Sequence, residues 1–433
     1  AVTGDATYTA SYTPVYNVYF YNGSTLLDTV QVLQGGTAVY TGETPTDGNK
    51  IFTGWSPQPT NVQGNLSVYA QFKANVETPT ATTADGAYGV EWDYSKSSPA
   101  LTRKGLAAAF ADPSPAEGVS GSGSSPFDSI LPWSGMKRFN VIGSEYVPET
   151  DSRFDQAAND TVVYIPEFYY TAYKDTTNSK WLWAISPTAK EGYCKHPGSG
   201  RYVGRYHTGG SSSGVYSKSG VLPLVNTSQT DFRRYSSAKG NGWRMMDLAA
   251  WCALELLYLV EYANFDSQTI LGKGWNTGSI GGMGGTDSAA YHTVKATGAH
   301  NQYRWIEDPF SNCYDWIDGF AGSNSSGTYA AANNSYTGGN GDLNELGFEL
   351  PPSGAIHGFG YSESAAWAFI PDTASGTDYT TYVCDRVLSN SSLYPAYVGG
   401  YCTVNAYYGF FYFNAYNSAS NPNGNLGSRL LKT

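Results

Sequence analysis

From Val387 to Ser428 the chain carries no Lys, Arg, Asp or Glu, and the stretch is crowded with Tyr, Asn, Ser and Gly. Its centre runs from Tyr394-Pro-Ala-Tyr397-Val-Gly-Gly-Tyr401 through Tyr407-Tyr408-Gly-Phe-Phe-Tyr412-Phe-Asn414 to Tyr416-Asn417, and charge returns only at Arg429 and Lys432. Tyr combined with Ser, Gly and Asn provides rigid aromatic area and adaptable hydrogen bonding at low side-chain entropy cost, the residue mix of antibody combining sites. Such a segment points to recognition rather than catalysis.

The rest of the composition agrees. Charged residues make up 14 % of the chain, against roughly 25 % in an average soluble domain. Gly (50) and Tyr (36) are abundant among the 433 residues, which suits an all-β or loop-rich extracellular protein of two or three domains. A formal charge of −11 argues against a nucleic-acid partner, because phosphate binding needs clustered Lys and Arg. No apolar run approaches the roughly 20 residues of a membrane span, so no membrane insertion is expected. The longest, Leu248 to Val260, is interrupted by Glu255 and reads as a buried helix. Cys194, Cys252, Cys313, Cys384 and Cys402 are scattered, odd in number and never in a CxxC pair. They indicate neither a zinc site nor a disulfide framework and read mostly as small buried hydrophobes.

An internal repeat organises the N-terminal region. Residues 1–12 align with 61–72, with Val2 matching Val62 and Gly4 matching Gly64. Each segment then alternates polar and apolar residues as a half-buried strand does. Residues 1–12 are thus expected to be the last strand of a preceding repeat in a longer protein. A whole module follows at 13–74: a strand from Val15 to Tyr21, a hairpin signal at Asn22-Gly23, and a return strand from Leu26 to Leu33. A Gly35-Gly36 turn, the run Phe52-Thr-Gly-Trp55-Ser-Pro and a closing strand from Leu66 to Phe72 complete it. Phe52 and Trp55 are expected in its core, since aromatics dominate the interior of so small a domain. Residues 75–86, rich in Thr, Ala and Pro, read as a semi-extended linker.

Residues 87–433 form one unit with no further break in composition. Thr161 to Tyr170 reads as a strand near a sheet edge because it contains Pro166. One convincing helix runs from Asp247 to Ala263, capped by Asp247, with Leu248, Trp251, Leu254, Tyr258 and Tyr262 along one stripe. Ser120 to Ser125, Gly278 to Gly285 and Ser323 to Gly341 read as Gly-, Ser- and Asn-rich loops. One helix among many short strands and long loops predicts an α+β fold.

Several segments carry family resemblances. Residues 13–73, through the Phe-x-Gly-Trp motif, the Gly-Gly turn and the Val-x-Gly-Asn/Asp strand entry, resemble the InlB B-type (Listeria–Bacteroides) repeat, a small β-grasp-like module that usually acts as a spacer in cell-surface and phage proteins. Gly242-Trp-Arg-Met-Met-Asp247 leads into the helix, and Tyr303 to Gly319, including Asn312-Cys-Tyr-Asp-Trp316, is similar to the Gly-Asn-Val-Trp-Glu-Trp signature of formylglycine-generating-enzyme-type C-type-lectin folds. With Trp367-Ala-Phe-Ile-Pro-Asp372 and the tail from Val398-Gly-Gly400 to Leu431, the order resembles the variable proteins of diversity-generating retroelements, a family that includes the phage major tropism determinant. These retroelements mutate adenines, turning AAY codons into NNY codons, which never encode Lys, Glu, Gln, Trp or Met. None of the five occurs from Val387 to Ser428. A low-charge strand region would show a similar absence.

The resemblance implies a C-type-lectin-type domain whose variable region, about 387–428, displays a ligand face. Mapped by position, its contact residues are Tyr397, Tyr401, Thr403, Asn405, Tyr407, Tyr408, Tyr412, Asn414, Tyr416 and Asn417. Alternation along Gly409 to Asn414 predicts Phe411 and Phe413 in the core, with Phe410, Tyr412 and Asn414 facing ligand. Cys402 fits poorly among exposed positions. A sheet of stacked tyrosines is the plainer reading of the same residues. The resemblance further implies a host-surface protein or glycan as partner, a phage tail tip or a bacterial cell surface as location, and assembly as a homotrimer.

Enzymatic activity is the rival reading, since formylglycine-generating enzymes share the fold and use a cysteine pair with copper. Neither Cys384 nor Cys402 sits in a matching motif, and the five histidines show no metal-ligand spacing. We therefore expect no catalytic residues, metal ligands or cofactor. Glu307, Asp308, Asp315 and Asp318 fit turn- and helix-capping roles, with an oxygen-ligated structural cation as the alternative.

Overall fold

The computed structural model describes residues 4–5, 9–47, 51–73, 86–116, 123–276, 284–286, 300–331, 343–403 and 407–433. The chain divides into two compact units between Thr78 and Pro79.

In the first unit, β1 (Val15–Asn22), β2 (Thr25–Leu33), β3 (Ile51–Ser56) and β4 (Leu66–Lys73) form one mixed sheet in the order β2-β1-β4-β3. Asn22 pairs with Thr25, so the hairpin loop is Gly23-Ser24, one residue later than the Asn22-Gly23 signal suggests. Gly23 takes φ 58° there, a left-handed conformation that glycine adopts without steric cost. Alternation along β1 and β4 sends Val18, Phe20 and Val68 into a small core. Trp55 packs edge-on against Phe20 (4.7 Å between centroids) and Phe52 (5.3 Å); contrary to the core expectation both Trp55 and Phe52 are half-buried, and of the two Trp55 packs against the core. Residues 4–5 and 9–12 form no strand.

The second unit corrects the α+β expectation. The structure is β-rich: strands account for 37 % of it and helices for 12 %, with three α-helices among the described residues. The sequence signals the helix strongly because fifteen consecutive residues favour it. Most strands are only two to seven residues long, too short for a period-two pattern to register. A five-stranded antiparallel sheet contains Tyr88–Asp93, Tyr169–Asp175 and Lys180–Ser186. A long mixed sheet runs from Pro371–Ala374 through Arg386–Ser389, Phe413–Ala415, Tyr397–Val398, Tyr314–Trp316, Leu426–Lys432 and Arg201–His207 to Glu145–Pro148. The expected strand at Thr161–Tyr170 is two strands. Asp160–Ile165 is interior to the long sheet, Tyr169–Asp175 belongs to the other, and Pro166 lies between them, where its missing N–H costs no ladder bond.

The helices are α1 (Gln229–Ala238), α2 (Leu248–Tyr262) and α3 (Ser267–Leu271). Asp247 caps α2 by accepting the Ala250 N–H (2.9 Å) and also pairs with Arg201 (2.7 Å). Every residue of α2 is buried, not only the predicted stripe, so sheets and loops wrap it on all sides. Its two carboxylates must then be compensated inside. Glu261 is paired with Arg304 and accepts the Tyr303 hydroxyl (3.1 Å). Burial pushes the Glu255 carboxyl well above its ordinary range, which keeps it neutral in the core. Among the described residues no helix is long and apolar enough to cross a membrane.

Candidate recognition site in the uncharged tail

The uncharged stretch is threaded into the centre of the long sheet. Phe413–Ala415 lies between Arg386–Ser389, which it meets in parallel, and Tyr397–Val398, which it meets antiparallel. Tyr397–Val398 in turn pairs with Asp315–Trp316. Between these strands, the described residues 399–403 and 407–412 belong to no strand.

The return of the loop is fixed by side chains from outside it. Asp385 accepts the N–H groups of Gly409 (2.5 Å) and Phe411 (2.9 Å), and Ser267 Oγ on α3 accepts that of Phe410 (2.8 Å). Three consecutive backbone donors are thereby satisfied without using the side chains of the stretch. A Cβ at Gly409 would lie 2.6 Å from Ser267 Oγ and 2.7 Å from both Asp385 oxygens, so glycine is needed for this close approach. Burial raises the Asp385 carboxyl to about 8, with the two N–H bonds opposing the shift.

The side chains then divide differently from the strand-alternation expectation. Phe410 is fully buried against Trp251 (5.1 Å) and Tyr258 (5.4 Å) and joins Phe411 and Phe413 in the main core. Regular strand begins only at Phe413. Gly409–Tyr412 is a turn, closed by the Tyr412 N–H to the Gly409 carbonyl (3.3 Å), so parity does not carry through it.

Tyr397, Tyr408, Tyr412 and Asn414, expected on the ligand face, are buried. The three rings form a second aromatic cluster with Tyr314 and Trp316. Tyr412 stacks on Tyr314 (5.3 Å, 21°), Tyr397 meets Trp316 edge-on (4.9 Å, 79°), and Tyr408 lies 5.1 Å from Tyr412. Burial raises the Tyr397, Tyr408 and Tyr412 hydroxyls above their ordinary value. The tail's amides satisfy two of these hydroxyls: Asn414 donates to Tyr412 (2.7 Å) and Asn417 to Tyr397 (2.9 Å). With no charge in the stretch, amides can fill the polar needs of a buried tyrosine layer at no ionic desolvation cost. Composition alone therefore misassigns the inner layer of the site as its outer one.

Above that layer stands an outer fringe. Tyr401, Thr403, Tyr407 and Asn417 are half-buried, and Tyr416 is 52 % exposed. Asn405 lies outside the described residues. Tyr401 and Tyr407 rest on Tyr408 at 5.0 and 4.5 Å, while Tyr379 (4.5 Å) and the Arg386 guanidinium (5.6 Å) approach Tyr407 from outside the stretch. Tyr379, Arg386, Asp385, Ser267 and Tyr314 escaped the sequence reading of the face. Only Asp385 and Arg386 left a trace, as the last charges before the stretch. Cys402 is fully buried and donates its N–H to the Asn312 carbonyl (3.2 Å), so it is no member of the fringe.

The four carboxylates near the Asn312–Trp316 motif do not form one site. Asp315 pairs with His207 (3.0 Å) and Arg429 (3.3 Å). Burial raises its carboxyl, but His207 and Arg429 outweigh this and hold it below its ordinary value. Asp318 pairs with Arg233 (2.9 Å) and caps the Gly319 N–H (2.8 Å), with burial raising its carboxyl. Glu307 and Asp308 instead gather with His300, their donor atoms all within 4.8 Å of one another. His300 bonds Asp308 (2.6 Å) and stacks on Trp275 (4.9 Å). One imidazole and two carboxylates are a donor set that a divalent cation can use. The spacing of six residues between His300 and Glu307 gave no such indication.

Two half-buried tyrosines and the exposed Tyr416 over an aromatic base offer stacking area and hydroxyl and amide hydrogen bonds, the chemistry of non-covalent recognition. No protein-family model matches the chain, and no curated protein is significantly similar to it in sequence.

Proposed function

We propose that this chain is a ligand-recognition protein whose contact surface is the fringe of Tyr401, Thr403, Tyr407, Tyr416 and Asn417. The observation that carries this reading is the two-layer arrangement. Backbone held by Asp385 and Ser267 supports a buried tyrosine layer, and that layer supports side chains whose identity the frame does not specify. Interface energy concentrates in aromatic residues backed by well-packed neighbours, and a frame that fixes the main chain keeps their ordering cost low.

Together with the tail composition, the arrangement supports a member of the retroelement-diversified class, serving host recognition at a phage tail tip. A host-surface protein or glycan would be bound non-covalently there, and many copies on one particle would raise avidity. The N-terminal module resembles a repeat also found on bacterial surfaces, which favours a cell-surface adhesin as the second reading. A homotrimer follows from the resemblance alone.

The decisive binding experiment is flow cytometry of the fluorescently labelled chain on a panel of bacterial cells. Binding to one strain that is lost in Tyr407→Ala/Tyr416→Ala, with an unchanged melting temperature, is the expected result. Equal binding by the variant would overturn the assignment. Sequencing the flanking DNA tests the class: a near-identical template copy differing at adenines, beside a reverse transcriptase, is expected.

A further inference from the structure

The N-terminal sheet has a second face that its core does not use. With Tyr16, Val18 and Phe20 of β1 packed in or against the core, Asn17, Tyr19 and Tyr21 point to the other side. The register sets Tyr21 beside Tyr69 across the β1–β4 pair and Asn17 beside Gln31 across the β1–β2 pair. The Tyr21 and Tyr69 rings lie 5.3 Å apart with planes 21° from parallel. Gln31 donates to Asn17 (3.3 Å), and Asn17 donates to the Tyr19 hydroxyl (3.4 Å). Tyr69 is 45 % exposed and Leu33, at the end of the same face, is 59 % exposed.

This face also carries little charge. Outward positions of Asn17–Tyr21, Thr29–Leu33 and Ser67–Gln71 have no Lys, Arg, Asp or Glu, and the next outward position along β4 is Lys73 at the strand end. An uncovered sheet face normally presents charged and polar residues to water. Three tyrosines beside three amides, counting Gln71, make an aromatic surface edged with neutral donors and acceptors instead.

We propose that this face binds an uncharged polysaccharide strand. The C–H faces of sugar rings pack on the tyrosine rings, and the ring hydroxyls exchange hydrogen bonds with Asn17, Gln31, Gln71 and the phenols. A lone Lys73 at the strand end is not the cluster of cations that a phosphate backbone needs. The face also lacks Arg, which protein interfaces favour. A neutral polymer with many hydroxyls matches both its charge and its hydrogen-bonding groups. The site is separate from the C-terminal fringe and does not depend on the function proposed for it.

The test is affinity electrophoresis of the full chain in native gels containing a soluble β-glucan, a xylan or a mannan, with polyanionic alginate as the contrast. Retardation by at least one neutral polymer and not by alginate is expected, with affinity at least about tenfold weaker in Tyr19→Ala/Tyr21→Ala/Tyr69→Ala. Should the triple variant fail to fold, Tyr69→Ala alone, at an outward position, must weaken retardation, while Tyr407→Ala/Tyr416→Ala must leave it unchanged. The proposal is overturned by no retardation in any neutral polymer, by equal retardation in alginate, or by retardation indifferent to Tyr69. It is equally overturned by retardation lost on changing Tyr407 and Tyr416. Concentration-dependent self-association abolished by Tyr69→Ala would assign the face to a second copy of the chain and would also overturn it.

Discussion

Asp385 holds the N–H of Gly409 at 2.5 Å and, through its other oxygen, that of Phe411 at 2.9 Å. One carboxylate just before the uncharged stretch thus decides where its most aromatic segment re-enters the core. Asp385→Asn retains one acceptor and turns an NH2 group toward the second N–H. A loss of about 1–3 kcal/mol is expected, the cost of a buried donor left without a partner, read from denaturant unfolding at pH 5.

The same residue gives the chain a pH signature. Its carboxyl lies at about 8 in the folded chain against an ordinary 3.8, so between these values the native state binds the extra proton. Stability contributed at this site is therefore full below about pH 4 and is lost as pH rises toward 8, at up to about 1.4 kcal/mol per pH unit. The unfolding midpoint of the parent chain should fall more steeply from pH 5 to 8 than that of Asp385→Asn. Parallel curves would refute it.

Gly409→Ala separates space from hydrogen bonding. The added methyl meets Ser267 Oγ and both Asp385 oxygens closer than 3 Å, and overpacking of this kind costs about 1–3 kcal/mol. A lowered melting temperature is expected, with reduced binding by the fringe because the loop is displaced. Gly424→Ala, where a Cβ meets nothing within 4 Å, is the control.

Within the tail, tyrosines should separate by layer. Tyr412→Ala empties the buried cluster and is expected to cost about 3–5 kcal/mol, whereas Tyr416→Ala, at an exposed position, should stay within about 0.5 kcal/mol. Calorimetric melting of the two variants checks this. A silent Tyr412→Ala would put that ring outside the supporting layer.

The buried pair of Arg304 and Glu261 bears on α2. Arg304→Ala would strand a carboxylate in the core beside Tyr303, at a cost of about 3–5 kcal/mol. Equilibrium unfolding in urea measures it.

What the sequence made legible was whatever rests on local periodicity. The cap at Asp247, the extent of α2, the hairpin near Gly23 and the contact between Phe52 and Trp55 all depend on neighbours within a few residues. The site was only half legible. Tyr, Asn, Ser and Gly mark the segment proposed for recognition, but the same residues also build the layer beneath its half-buried fringe. Which tyrosine belongs to which layer depends on Tyr314 and Trp316, some eighty or more residues away in sequence. The turn at Gly409, set by Asp385 and Ser267, interrupts the strand alternation that would place Phe410 and Tyr412 on one outward face. Two- and three-residue strands such as Tyr397–Val398 and Phe413–Ala415 exist because their partners do, and no local pattern encodes them.

Phe413–Ala415 has a neighbouring strand on both sides, so the stretch is partitioned into positions that can drift and positions that cannot. Substitutions at the rim change what is touched, while those in the flanked strand disturb two ladders and an aromatic floor together. If the tail is diversified as proposed, its repertoire of surfaces scales with the handful of rim sites, and the length of the uncharged run overstates it.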